Sequence, residues 1–195
     1  MRRTQVLDVR NKHFLLSRKA SRRKWNKKGL LPIHCSAIQG RIDIIQALMD
    51  FDTHPRNKIT EISDKRDTPS LLYLSVANNQ LKCANWLISK AVTFKPGEQE
   101  ELIFNILLDE LKVEDQVQGL NFLLRSGVNI NALNEKGKSV LHLAALDLEF
   151  YDILAVLLDC GAEVDIEDDE CRTPLFYAVF ASNLHGARLL IDHDR

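Results

Sequence analysis

The stretch Gly137-Lys138-Ser139-Val140-Leu141-His142-Leu143-Ala144-Ala145 decides the fold, because the chain repeats it. A related stretch, Thr173-Pro174-Leu175-Phe176-Tyr177-Ala178, begins 34 positions after Ser139. An earlier copy runs from Gly29 to Ala37, with Pro-Ile-His-Cys-Ser-Ala at residues 32–37. One pattern recurring every 20 to 50 residues or so is typical of an array of stacked structural units.

A second pattern, Leu-Leu-x-x-Gly, closes the copies at residues 123–127 and 157–161. Two degenerate copies lie between the clear ones. The second has Leu72–Gln80 in place of the opening motif, and the third keeps only two helical patterns, Glu101–Lys112 and Gln116–Ser126, before its closing motif. We therefore expect five units, at about residues 26–58, 64–97, 98–133, 134–167 and 168–195.

The residue types suit a helix-turn-helix unit. Thr173 can cap a helix, and Pro174 suits the first helical position because it has no N–H to leave unpaired. Gly40 and Asn79 suit a left-handed turn between helices. Gly residues at 127 and 161 are expected to end second helices in the same conformation. In the fourth copy Glu149-Phe150 stands at this turn, which we expect to be irregular.

These copies resemble the ankyrin-repeat family, whose pattern runs Gly-x-Thr-Pro-Leu-His-x-Ala-Ala, then Gly-His, then Leu-Leu-x-x-Gly-Ala. The resemblance covers about residues 26–194. It implies an all-α solenoid of stacked helix-turn-helix units joined by hairpin loops. It also implies a non-enzymatic protein-interaction module that needs no cofactor and acts as an adaptor, scaffold or inhibitor.

Such a module would bind its protein partner through hairpin tips and the concave face formed by the first helices. In the register above, the expected partner-binding residues are Lys27, Lys28, Gln39, Asn78, Lys136, Lys138, Asp147, Asp168, Asp169, Arg172 and Tyr177. The acidic run at residues 165–170 falls on a hairpin, so we expect its side chains to point into solvent. It lacks the alternating ligands, central Gly and distal Glu of a calcium loop.

The histidines and cysteines do not indicate catalysis or metal binding. His34 and His142 stand at the family's repeated His position, where the resemblance implies a ring that bridges the backbones of adjacent loops. The four cysteines form no C-x-x-C pair, so we expect reduced thiols and no zinc site. No catalytic motif is present, and we expect no enzyme activity.

Composition indicates an ordinary soluble protein, with 45% apolar and 27% charged residues among 195. The longest apolar runs are far shorter than the ~20 residues that span a bilayer. The first residues do not form a signal peptide, so we expect a cytoplasmic or nuclear protein. We also expect the protein to be monomeric by itself. The chain stops just after the last expected helix without a polar closing repeat. Either that helix pair frays or the natural product is longer.

A basic N-terminal arm, residues 1–25, adjoins the repeats. Residues 1–28 have a net charge of +10 and the remainder −11. The arm supports an alternative function, which is nuclear import or binding of nucleic acid or anionic membranes. Equally, it can be a solvated arm with no function. The basic patch is Arg18, Lys19, Arg22, Arg23, Lys24, Lys27 and Lys28, and Ser21 within it resembles a kinase target.

One further site follows from the resemblance alone. Residues 127–132, Gly-Val-Asn-Ile-Asn-Ala, are similar to the loop that an asparaginyl hydroxylase modifies in many ankyrin proteins. This similarity makes Asn131 the expected acceptor. The alternative is that Asn131 stabilises its hairpin through side-chain-to-backbone hydrogen bonds.

Overall fold

The computed structural model of the chain describes residues 24–50, 68–108 and 112–193. The chain divides into two compact units, Met1–Lys95 (unit 1) and Pro96–Arg195 (unit 2). The described parts of both units consist of helices, turns and loops, with one isolated β-bridge between Leu133 and Ser139. Residues 1–23 of the basic arm, and residues 51–67 between the first two repeats, lie outside the described residues.

Unit 1 contains two helix pairs among its described residues. These are α1 (Pro32–Ile38) with α2 (Ile42–Asp50), and α3 (Leu71–Ala77) with α4 (Leu81–Ser89). The first helices, α1 and α3, pack on each other, and each also packs on its own second helix. Ile45, Leu72 and Leu87 are almost fully buried there. Each short helix therefore gains its apolar contacts from a neighbouring pair, as in a repeat array.

Unit 2 contains three helix pairs within its described part: α5 (Glu98–Leu108) with α6 (Val113–Arg125), α7 (Val140–Leu146) with α8 (Tyr151–Asp159), and α9 (Pro174–Phe180) with α10 (Leu184–His193). The first helices α5, α7 and α9 pack in one row. The second helices α6, α8 and α10 pack in another. The core lies between the rows and includes Leu123, Leu141 and Leu157.

The turns follow the sequence closely. Gly40 and Asn79 are left-handed, with φ of 65° and 52°, and the two helix-ending glycines at 127 and 161 are at 82° and 85°. These predictions are confirmed. The irregular turn expected in the fourth copy is also present, because Asp147 ends α7 in an extended conformation and no residue from 147 to 150 has a positive φ.

The capping prediction for Thr173 is wrong. Its side chain makes no capping hydrogen bond within the described structure, although Pro174 does occupy the first helical position. Pro174 fixes the backbone of the first turn by its own ring. A side-chain cap is found instead in the second repeat, where Ser70 Oγ accepts the N–H of Tyr73 at 3.0 Å.

Candidate functional site

Three hairpin tips share one turn: the first tip (residues 26–30) in unit 1, and the middle tip (134–138) and last tip (168–172) in unit 2. The side-chain Oδ1 of the first residue accepts backbone N–H groups from the third and fifth residues at 2.9–3.1 Å. The three acceptors are Asn26, Asn134 and Asp168. Such turns hold the tip backbone in one conformation before any partner arrives.

The last tip adds a second set of bonds through the other carboxylate oxygen. Asp168 Oδ2 accepts hydrogen bonds from Arg172 Nη2 at 2.9 Å and Nε at 3.1 Å, and from the Tyr177 hydroxyl at 2.6 Å. Arg172 Nη1 also pairs with Glu170 Oε2 at 2.6 Å. Asp168, Arg172 and Tyr177, which we name the clasp, therefore link the tip to α9.

The clasp corrects the expectation that the whole acidic run points into solvent. The side chain of Asp168 is fully buried, whereas Asp169 and Glu170 beside it are exposed. Burial works to raise the pKa of Asp168, but hydrogen bonds from Tyr177 and Arg172 hold it well below the ordinary value of 3.8. Asp168 is therefore ionised at neutral pH, where its charge is matched by Arg172.

Tyr177 is also buried, with only 5% of its surface exposed. Its ring meets His142 edge-on with centroids 5.6 Å apart, and Lys138 Nζ lies 4.4 Å from the ring centroid. The Arg172 guanidinium carbon is 5.1 Å from the same centroid. Tyr177 thus places two cations next to the tips, and its own ring is buried, so its expected part in partner binding stays a prediction. Its buried ring fills the gap between neighbouring repeats.

The two histidines at the repeated position differ in how many of their ring nitrogens make hydrogen bonds. His142 Nδ1 accepts the Ser139 N–H at 3.0 Å and Nε2 donates to the Arg172 carbonyl at 2.9 Å, so the ring bridges two loops as expected. His34 Nδ1 accepts the Leu31 N–H at 3.0 Å, while its buried Nε2 has no hydrogen-bond partner in the described structure. Burial is the main cause that lowers the pKa of both rings.

The structure brings together four predicted residues of unit 2: Lys138, Asp168, Arg172 and Tyr177. The middle and last tips touch through a bond of 3.4 Å from the Asp169 N–H to the Lys136 carbonyl. The other predicted partner-binding residues are exposed and are not members of the clasp: Lys27 and Lys28 in the first tip, Gln39 and Asn78 at the ends of α1 and α3, Lys136 and Asp169 on the tips, and Asp147 after α7.

The predicted basic patch and modification sites are only partly described. Lys24, Lys27 and Lys28 are exposed, while Arg18, Lys19, Ser21, Arg22 and Arg23 lie outside the described residues. Asn131 Oδ1 accepts the backbone N–H of Glu163 at 3.0 Å, which joins two neighbouring hairpins of unit 2. Asn131 therefore has a stabilising role between repeats.

Sequence reasoning missed a set of exposed apolar residues on the last helix pair. They are Phe176, Val179, Phe180, Leu184 and Ile191, between 47% and 76% exposed. A residue-by-residue alignment of α9 with α7 shows which positions are equivalent but not which are exposed. It puts Phe176 where α7 has His142 and Val179 where α7 has Ala145, both of which are buried.

The described ranges were compared with two further kinds of site, a metal-binding cluster and a membrane-spanning helix. No group of three or more His, Cys, Asp or Glu side chains there is placed to hold a metal ion. The four cysteines are free thiols. Nor does any helix in those ranges combine the length and apolar character that a membrane crossing needs.

Comparisons with known proteins agree with this architecture. A family model described as ankyrin repeats, in three copies, matches residues 111–195. The crystal structure of an ankyrin repeat domain from Acinetobacter baumannii AYE superposes with a TM-score of 0.68 at 18% identity, covering 96% of this chain and 93% of that one. The chain therefore has the all-α solenoid fold of ankyrin-repeat proteins, and its residues 111–195 match that family.

Two curated relatives show how widely such repeats are used. The chain is 25% identical over 178 residues to ankyrin repeat protein nuc-2 of Neurospora crassa. The match covers 91% of this chain and 16% of that protein. The chain is also 31% identical over 105 residues to serine/threonine-protein kinase 12 of Arabidopsis thaliana. That match covers 54% of this chain and 22% of the kinase. The chain thus spans under a quarter of these relatives' length. Ankyrin repeats are generally protein-interaction modules and typically not enzymes, although relatives such as this kinase carry them.

Proposed function

We propose that the chain binds a partner protein through the middle and last tips and the adjoining concave side of α7 and α9, as an adaptor, scaffold or inhibitor. The observation that carries this proposal is the clasp, which holds Arg172 in a fixed position while 23% of its side chain stays exposed. Arg is among the residues that most often dominate binding energy at interfaces.

Preorganisation is the physical basis of the proposal. Immobilising a long side chain on binding costs about 0.5–1.5 kcal/mol, and Arg172 is already immobilised by Asp168 and Glu170. Lys138 is similarly placed over the Tyr177 ring. Lys136 on the middle tip and Asp147 after α7 are exposed charges of opposite sign on the proposed surface. A polar rim around a few fixed anchors is the usual anatomy of a non-obligate protein interface.

The test is quantitative affinity purification from the source cells with the full chain as bait. The double variant Lys136→Ala/Asp147→Ala changes the proposed surface, and Asp152→Ala is the matched control because Asp152 is an exposed aspartate on the second helix α8. We expect specific partners to fall at least about fivefold with the double variant, roughly 1 kcal/mol of binding energy. An unchanged set of partners, with both variants folded by circular dichroism, would rule out this surface.

A second candidate function rests on the charge of unit 1. Residues 1–95 contain 19 Lys/Arg and 7 Asp/Glu, a net charge of +12, and three of these lysines are exposed around the first tip. We propose nucleic-acid or anionic-membrane binding, or nuclear import, as the alternative role. Phosphate binding should weaken at least about tenfold between 50 and 200 mM salt. Binding to RNA or DNA that does not change over this range would exclude it.

A further inference from the structure

The second repeat differs from the rest of the chain in its charge. Residues 68–97 contain no Asp or Glu, although the chain has 27 of them, and they carry lysines at positions 82, 90 and 95. The described residues of unit 1, 24–50 and 68–95, contain seven Lys/Arg and two acids. One of these acids, Asp43, pairs with Arg41 at 3.3 Å. A polyanion that approaches the second repeat therefore meets attraction and little repulsion.

Helix α4 presents this charge next to an aromatic ring. Lys82, Trp86 and Lys90 are spaced i, i+4 and i+8, so they follow one another along one side of the helix. Both lysines are exposed, and Trp86 is half-buried. Lys90 Nζ lies 5.7 Å from the centroid of the Trp86 ring. Neither lysine forms an ion pair in the described part of the chain. We name these three residues the α4 stripe.

The stripe is held in place by the buried side of the same helix. Helix α4 packs on α3, and its core-facing residues are at most 1% exposed: Cys83, Ala84 and Leu87. At a rise of 1.5 Å per residue, the Cα atoms of Lys82 and Lys90 are about 12 Å apart along the axis, with Trp86 midway. A flat group stacked on Trp86 therefore has a cation on each side of it.

The combination of ring and cations indicates which polyanion fits. Proteins hold single-stranded nucleic acid by stacking bases on aromatic side chains while Lys and Arg follow the phosphates. In a duplex both faces of a base are covered by its neighbours, so no face is left for Trp86. A membrane-binding helix presents a broad apolar side. Ile88 is the most exposed large apolar side chain of α4, at 43%, while Asn85 and Ser89 beside it are polar and exposed.

We propose that the α4 stripe binds single-stranded nucleic acid, with a base stacked on Trp86 and backbone phosphates paired with Lys82 and Lys90. Contacts with phosphates and with the face of a base tolerate any sequence, so binding has little sequence preference. This inference rests on the second candidate function and names the site and the class of nucleic acid within it. The protein-binding surface of the first proposal lies on residues of unit 2 and is not involved.

The test measures fluorescence anisotropy of a labelled 12-nucleotide oligothymidine titrated with the full chain at several salt concentrations. Lys82→Ala/Lys90→Ala removes the two cations. The matched control is Arg125→Ala/Arg188→Ala, which removes the same charge from exposed positions on α6 and α10. Trp86→Leu and Trp86→Phe both keep an apolar side chain in the half-buried position, but only Phe keeps an aromatic face. Circular dichroism confirms that each variant is folded.

We expect Lys82→Ala/Lys90→Ala to bind at least about tenfold more weakly at 50 mM salt, and its slope of log affinity against log salt to fall by about 1.4, since each phosphate contact with a single strand contributes about 0.7. Trp86→Leu should lose about tenfold with the slope unchanged, because it removes stacking and no charge. Trp86→Phe and the arginine control should stay within about threefold of the wild type.

A probe without bases separates stacking from charge. An abasic oligomer of the same length has the same phosphates, so it should bind the wild type at least about tenfold more weakly than oligothymidine does. The two tryptophans of the chain allow a second readout. In a Trp25→Phe background Trp86 is the one tryptophan left, and oligothymidine should quench its fluorescence while the abasic oligomer should not.

Several results would overturn the proposal. Equal losses from the lysine and arginine double variants would mean that net charge alone attracts the strand. Unchanged binding by Trp86→Leu, or equal binding of the abasic oligomer, would exclude stacking. A loss confined to Lys27→Ala/Lys28→Ala would move the site to the first tip and keep the second candidate function. Binding to phosphatidylserine vesicles without binding to oligothymidine would keep only its membrane form, and binding to no probe would reject both.

Discussion

The middle and last tips of unit 2 make the same turn, but one begins with Asn134 and the other with Asp168. In both, Oδ1 accepts two backbone N–H groups at 2.9–3.1 Å. The atom that differs is the second one on the side chain. In Asp168 it is a charged oxygen that binds Arg172 and Tyr177. In Asn134 it is an amide nitrogen, which cannot accept these bonds.

The difference shows that one side-chain oxygen is enough to make the turn, which leaves the second terminal atom of the side chain for a separate role. At the last tip that role is to hold Arg172 and to connect the tip with α9 through Tyr177. At the middle tip the fifth residue, Lys138, is held by the aromatic face of Tyr177. Tyr177 is thus the residue that both tips share, and the tips should respond unequally to changes in it and in their first residues.

The largest effect is expected from Tyr177→Ala. The substitution removes a buried ring that contacts His142, and it also leaves Asp168 and Lys138 without a common partner. We expect a loss of about 3–5 kcal/mol in the free energy of unfolding, measured by urea denaturation. Phe176→Ala is the control, because that ring is 50% exposed and should cost about 1 kcal/mol. Similar losses from the two variants would contradict the structural role of Tyr177.

The next effect tests the first residues of the two tips by exchanging them. Asn134→Asp keeps the oxygen that makes the turn and places a charge near Lys138, so stability should change by no more than about 0.5 kcal/mol. Asp168→Asn keeps the turn but replaces the oxygen that binds Arg172 and Tyr177, so its loss should be clearly larger. Urea denaturation of both variants with an unchanged m-value is the measurement. Equal losses would show that the clasp contributes nothing beyond the turn.

The sequence predicted the turns well because glycine and asparagine act locally. A left-handed φ at Gly40 or Asn79 depends on the residue itself and its immediate neighbours. Helix starts in the third repeat were less accurate, since the apolar pattern suggested Glu101 and Gln116 where the helices begin at Glu98 and Val113. The acidic first turns of these helices are favourable at a helix N-terminus but invisible to an apolar pattern.

The burial of Asp168 could not be read from a run of acidic residues. It depends on Arg172 four positions later and on the Tyr177 ring nine positions later, and a charge run carries no information on which member turns inward. Alignment with Asn134 at the 34-residue period does single out this position as the turn residue. The exposed apolar residues of the last helix pair were missed for a related reason. The repeat pattern identifies equivalent positions, but exposure depends on which neighbour packs there.

An intermediate effect concerns the pH dependence of stability. It tests His142, which stands in α7 at the position where α9 has Phe176. Burial lowers the pKa of His142 below its ordinary value of 6.5, which holds in the unfolded chain. The unfolded state therefore binds a proton first as the pH falls. Stability should be complete above pH 6.5 and decrease below it, with a slope of at most about 1.4 kcal/mol per pH unit for this ring.

The measurement is urea denaturation from pH 7.5 to 5 for the wild type and His142→Gln. The variant should show a shallower slope, whatever its stability at pH 7.5, because a titrating group has been removed. His34, whose pKa is also lowered by burial, continues to contribute in both proteins. Asp168 loses its contribution only in more acidic solution, below the ordinary carboxyl pKa of 3.8. Parallel slopes for the two proteins would contradict the role of His142.

The smallest effect is expected at the fourth residue of the tips, which is left-handed in all three. Gly29 and Gly137 adopt φ of 70° and 68° at no steric cost, whereas Cys171 adopts 57° with a side chain. The strain relieved in Cys171→Gly, about 1 kcal/mol, is partly offset by the greater freedom of glycine in the unfolded chain. We expect a net gain of about 0.5 kcal/mol by urea denaturation. Cys160→Gly replaces an exposed cysteine whose φ is −89°, so that control should lose about 0.5–1 kcal/mol. A loss at position 171 as large as at 160 would mean that the last tip stores no strain in its backbone and that the Cys171 side chain stabilises the tip.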